Sequence, residues 1–132
     1  MSGEISLKRL LTNMSPGLRD DYYVFCTIKD AVYGDFAEMK PFATVCEAEG
    51  LTLVLVKQVA DQAGFEYEST FRCITLDVHS SLEVVGLTAA VSGALTEHQI
   101  SANIIAGFFH DHIFVPSESA NNALSLLLKL SE

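Results

Sequence analysis

A chain of 132 residues, 49% of them hydrophobic, holds enough material for one ordinary domain or two very small ones. Its formal net charge of −9, with the cations scattered from Lys8 to Lys129, argues against binding to nucleic acid or to an anionic membrane surface. The longest apolar candidate, Leu51 to Val56, is strand-sized and far short of the ~18–20 residues that cross a bilayer.

From the N-terminus, Met1 to Leu11 carries Glu4, Lys8 and Arg9 inside an apolar pattern. It lacks the basic start and clean apolar stretch of a secretory signal, so a cytoplasmic location is expected. Cys26, Cys46 and Cys73 form an odd set without C-x-x-C spacing. Each lies in a strand-like apolar run, as expected of small buried hydrophobes in a reducing compartment.

Leu7, Leu10, Leu11 and Met14 repeat with helical spacing, and Ser15-Pro16-Gly17 ends that helix. Tyr22 to Ile28 reads as a strand. Lys29 to Pro41, broken by Gly34 and Pro41, reads as a loop with room for a helical turn. Strands Ala43–Ala48 and Leu51–Val56 follow, joined through Glu49-Gly50 as a hairpin. Val56, Val59, Ala60 and Ala63 predict a short helix capped by Gly64.

Phe71 to Val78 alternates as a strand. Ser80 and Glu83 fit a capping box, and Val84, Leu87, Val91, Ala94 and Leu95 form one apolar helix face. Gly86 and Gly93 fall inside that predicted helix, where glycine costs ~1 kcal/mol against alanine and suggests close packing. Ile100 to Ala106 predicts a strand. A turn at His110-Asp111 leads to the strand Ile113–Val115. Ser117 is a candidate N-cap for a last helix whose apolar stripe is Ala120, Ala123, Leu124, Leu127 and Leu128.

Residues 22–64 and 71–130 thus repeat one plan, the first copy having lost its first helix. Phe65–Thr70 can close the first copy as a fourth strand. The second copy needs a strand from elsewhere. The expected class is α+β: two ferredoxin-like βαββαβ modules in tandem, residues 1–69 and 70–132, with antiparallel sheets and helices on one face.

Particular residues add a family resemblance. Leu82-Glu83-Val84-Val85-Gly86-Leu87 resembles the junction between the first strand and first helix of ACT domains. Ile100-Ser101-Ala102-Asn103-Ile104 resembles their second strand, and Asp111-His112-Ile113-Phe114-Val115-Pro116 the segment after it. Tyr23-Val24-Phe25 and Glu47-Ala48-Glu49-Gly50-Leu51-Thr52 are similar to a bacterial family of small stand-alone tandem ACT proteins. The regulatory regions of aspartate kinases and arginine-sensing ACT proteins are more distant relatives. His112 departs from the aromatic residue usual at its position.

The resemblance implies a non-enzymatic regulatory module that binds an amino acid or similar small effector, commonly where two ACT modules meet. Carried over, the contact positions are Asp77, His79, Ser80, Val84 and Gly86 from the junction, with Ser101, Ala102, Asn103 and Ile104 from the strand. A helix N-terminus suits a carboxylate, glycine permits close approach, and Asp77 with Asn103 can hold an ammonium group. Asp77 and Ser80 equally suit strand-end and capping roles.

No cofactor is implied. His110-Asp111-His112, with His79 and His98, invites a metal reading. The trio straddles a predicted turn without a further ligand at suitable spacing, so turn polarity is the expected role. Glu47 and Glu49 share a strand face but have no partner base or nucleophile. The expected partners are a small effector and a second copy of the chain in a homodimer. The other reading is a structural pair that only assembles, without ligand.

Overall fold

The computed structural model describes residues 3–77 and 86–132. In chain order the elements are α1 (Gly3–Asn13), β1 (Pro16–Ile28), β2 (Ala43–Glu47), β3 (Gly50–Val56), α2 (Lys57–Ala63), β4 (Phe71–Leu76), α3 (Leu87–Thr96), β5 (Asn103–Ala106), β6 (Asp111–Pro116) and α4 (Ala120–Leu130). Asp21–Phe71 form one compact unit, called central here. The residues on both sides of that stretch form the other, the flanking unit. The expected helical turn in the first loop is a single 3-10 turn, Ala37–Met39.

In the central unit the strand order is β2-β3-β1. β1 and β3 are antiparallel, with Cys26 opposite Leu53 and Val24 opposite Leu55. Val24, Cys26, Leu51, Leu53, Leu55 and Ala60 form its buried core, against which Ala31, Phe36, Met39, Phe65 and Tyr67 pack. The β2–β3 hairpin turns one residue earlier than expected, on Ala48-Glu49, because Glu47 pairs with Gly50. A Cβ on Gly50 would stand 2.7 Å from the Ile28 carbonyl oxygen, so the neighbouring strand end requires glycine there.

Phe65–Thr70 is not a strand. Phe65 meets Phe36 edge-on at 5.3 Å, and the Tyr67 hydroxyl donates to Asp61 at 2.7 Å. These contacts turn the segment back toward α2. The strand that completes the second sheet is instead the beginning of β1. The flanking unit has the order β1-β4-β6-β5, and β1 starts at Pro16, six residues before the expected Tyr22. Pro16-Gly17 therefore ends the helix and opens the strand, a position where the missing proline N–H costs nothing. The guanidinium Nη2 of Arg72 donates to the Arg19 carbonyl at 2.6 Å across this pairing.

One face of that sheet carries Ile74, Leu76, Ile113 and Val115 into a core with Leu87, Val91 and Leu95 of α3, Ala120, Ala123 and Leu127 of α4, and Met14. Leu7 and Leu11 of α1 pack against the same core. Ser117 lies inside a 3-10 turn, Ser117–Ser119, ahead of α4 rather than at a helix cap. Cys26 and Cys73 are buried as expected, whereas Cys46 on β2 is exposed. Among the described residues no helix is long and apolar enough to cross a membrane.

Candidate functional site

β4 determines where Asp77 lies. Ile74 and Leu76 point into the core, and the chain then leaves the sheet with the Asp77 main-chain N–H donating to the Ser15 carbonyl at 3.4 Å. The Asp77 side chain is 77% exposed. On the far side of the undescribed residues, α3 begins after Gly86, whose φ of +98° favours glycine. A Cβ there would also meet Leu7 Cδ2 at 3.1 Å. Gly86 thus caps the helix rather than lying within it, and α1 packs on it. Gly93 does lie within α3, but nothing packs on it.

The β5–β6 hairpin closes beside Asp77. The Gly107 N–H donates to the His110 carbonyl at 2.9 Å, leaving Phe108 and Phe109 exposed at the tip. His110 Nδ1 stands 3.9 Å from Asp77 Oδ1. It is shielded from solvent and has no hydrogen-bond partner among the described residues.

Next along β6, Asp111 is pushed above the ordinary carboxylate range by burial, with His112 opposing. Burial holds the His112 imidazole below its ordinary range, assisted by the charges of Arg19 and His110 and opposed by Asp111. His112 Nδ1 shares a 3.0 Å hydrogen bond with Thr75 Oγ1. Thr75 and Cys73 alternate with the core-facing Ile74 and Leu76, so this bond lies on the face of the sheet away from the helices. Burial also pushes the Cys73 thiol up, which makes it a poor nucleophile.

The expected contact residues separate into groups. His79, Ser80 and Val84, with the expected capping box, lie outside the described residues. Asp77 and Gly86 flank that segment. Ala102 and Ile104 pack against the core of the flanking unit. Ser101 and Asn103 are exposed, Ser101 just ahead of β5, which is shorter than expected.

Asn103 pairs with Phe114, and Ala106 with Asp111. The end of β5 near Asp77 is therefore Ala106, and Asn103 lies three residues away along the strand, ~10 Å at a strand's rise. Within one module the geometry brings His110, not Asn103, to Asp77. One local signal marks His110: it immediately precedes the ACT-like segment starting at Asp111.

Other candidates are structurally occupied. His98 is exposed just past the end of α3, its Nδ1 at 3.3 Å from the Ala94 carbonyl oxygen. Glu47 accepts a hydrogen bond from the Thr52 hydroxyl. Among the described residues no three His, Cys, Asp or Glu side chains converge as metal ligands.

Two stretches match the ACT domain family, residues 2–72 and residues 68–129. The chain belongs to the ACT family, as a tandem pair. A Vibrio cholerae protein of unknown function, described as a possible transport protein, is 51% identical; the match covers 99% of this chain and 100% of that one, with a TM-score of 0.88. The regulatory subunit of aspartate kinase from Thermus thermophilus, in a ligand-free form, shares the fold at 12% identity, with 91% and 99% coverage and a TM-score of 0.68. Clostridium acetobutylicum aspartate kinase shares it at 8% identity over 88% of this chain and 34% of that enzyme, with a TM-score of 0.63. No curated protein matches the chain.

Proposed function

We propose that this ACT pair is a regulatory module, not an enzyme, and that it binds an amino acid or similar small effector in the cytoplasm. The observation that carries this reading is the exposed Asp77 carboxylate at the end of β4, the strand that precedes α3 in the chain. A carboxylate there suits an ammonium group, and the start of a helix suits a carboxylate. Its likeness in fold to a regulatory subunit, over nearly the whole of both chains, supports the same reading.

The proposed contacts are Asp77, His79, Ser80, Val84 and Gly86 of one module, with Ser101, Ala102, Asn103 and Ile104 supplied by another. The distance between Asp77 and Asn103 within one module is the reason to assign the strand residues to a second copy, and hence to propose a homodimer.

A thermal-shift panel of the twenty common L-amino acids at millimolar concentration tests the reading. One of them should raise the melting temperature, since a ligand at a hundred times its Kd stabilises by about 2.7 kcal/mol. Asp77→Ala should remove that rise. A panel without any shift overturns the reading.

Exposed Phe108 and Phe109, 68% and 60% accessible and edge-on to each other at 5.1 Å, favour a second reading in which the module assembles with a partner and takes no ligand. Under that reading the oligomeric state is insensitive to every amino acid in the panel.

A further inference from the structure

We infer that His110 and Asp77 together form a two-point acceptor for the ammonium group of the effector, with His110 as the residue that selects for it. The inference rests on the amino-acid reading above and names a contact outside its residue set.

Three observations converge on the pair. His110 Nδ1 is withdrawn from solvent yet has no hydrogen-bond partner among the described residues, an uncommon condition for a buried polar atom. Asp77 Oδ1 is 3.9 Å away. That is too long for a hydrogen bond, but one donor atom can lie about 2.9 Å from both. Asp77 also follows the end of β4, so a group bridging the two would touch a residue of the proposed effector site.

The chemistry then narrows the bridging group. The carboxylate only accepts. A neutral imidazole carrying its proton on Nε2 accepts at Nδ1. Two acceptors facing one gap call for a donor with at least two hydrogens and, beside a carboxylate, for a positive one. A primary ammonium meets both requirements, whereas a carboxylate or a sugar hydroxyl meets neither. A bridging water is the competing occupant.

The hairpin positions the main chain that carries the imidazole. Gly107 N–H holds the His110 carbonyl at 2.9 Å, and Phe109 lies against the ring with centroids 6.5 Å apart. The acceptor is therefore preorganised by the β5–β6 turn. This turn belongs to the same module as Asp77, so the ammonium subsite is complete without a second copy.

Two measurements test the inference. The first follows the His110 ring nitrogens by nitrogen-15 NMR during titration with methylammonium chloride, against sodium chloride at equal ionic strength. Methylammonium should move the Nδ1 resonance saturably and sodium should not. An unmoved resonance, or one that moves equally with both salts, means methylammonium does not enter the gap and overturns the inference, whatever the amino-acid panel shows.

The second uses any amino acid that shifts the wild-type melting temperature. His110→Phe, checked for an unchanged fold by circular dichroism, should weaken its binding at least tenfold. His110→Asn, which keeps an acceptor near the Nδ1 position, should stay within about threefold of wild type. Equal affinity in all three proteins overturns the role of His110 and leaves the amino-acid reading standing. A panel with no binder fails that reading instead, and the methylammonium titration alone then decides the fate of the subsite.

Discussion

The central and flanking units are built to the same plan but keep different parts of it. In the flanking unit, β4 is followed by α3, and three helices cover one face of the sheet. In the central unit, no α-helix joins β1 to β2. An irregular segment with a single 3-10 turn and positive φ at Asp30, Phe36 and Lys40 takes that place, and Ala31, Phe36 and Met39 cover the core instead. The strand order around each hairpin survives in both units, because every buried main-chain group must find a partner. The helix does not survive, because a few apolar side chains can shield a small core as well as a helical turn can. Losing it removes the strand-to-helix junction, so the central unit lacks the setting in which Asp77 is placed.

The largest expected effects probe the two cores. Leu53→Ala in the central unit and Leu95→Ala in the flanking unit each remove a fully buried side chain, and each should cost about 2–5 kcal/mol. Urea unfolding should show one transition moved by either substitution, since β1 contributes residues to both units. Two transitions, each moved by one substitution alone, would show that the units unfold independently and would deepen the contrast.

Smaller effects separate the junction from the helix behind it. Gly86→Ala forces a side chain into positive φ and against Leu7, at about 1–2 kcal/mol. Gly93→Ala meets open space and should stabilise by about 0.5–1 kcal/mol. Melting temperatures moving in the same direction for both would show that the junction does not need its glycine.

The smallest expected effect is a pH response confined to one unit, for all four histidines lie outside the central unit. Folded His112 takes up a proton less readily than its unfolded counterpart. Its contribution is therefore complete above the ordinary histidine value of 6.5 and is lost as pH falls below it. Asp111 acts in the opposite sense, favouring the fold in acid and losing that contribution as pH rises above 3.8. The melting temperature should fall between pH 7.5 and 5.5, and His112→Asn should reduce the fall. An identical slope in that variant would move the response to another histidine.

Much of the fold was legible in the sequence because it is written in local periodicity. The alternation from Phe71 and the stripes of α3 and α4 sit close to where they were expected. Failures came where a distant partner decides the outcome. Nothing local marks Pro16–Asp20 as a strand, since their partner is β4 and their own side chains are mostly exposed. Phe65–Thr70 looked able to close the first copy's sheet, but its aromatic side chains hold it against Phe36 and Asp61 instead. The approach of His110 to Asp77 depends on strand direction and hairpin closure, which residue types alone do not reveal. Gly86 is closely packed by Leu7, as its place in the pattern suggests, but it caps α3 instead of lying within it.

The division of β1 between the two units has a consequence for synthesis. Arg72 meets Arg19 across 53 positions of chain, so the first residues of β1 leave the ribosome long before the strand they pair with. The central unit can assemble as soon as Phe71 has emerged. Until β4 follows, the start of β1 remains an open strand edge, and this long-range closure should set the pace of folding. A fragment beginning at residue 70 would lack that strand and expose the edge of β4 that pairs with it.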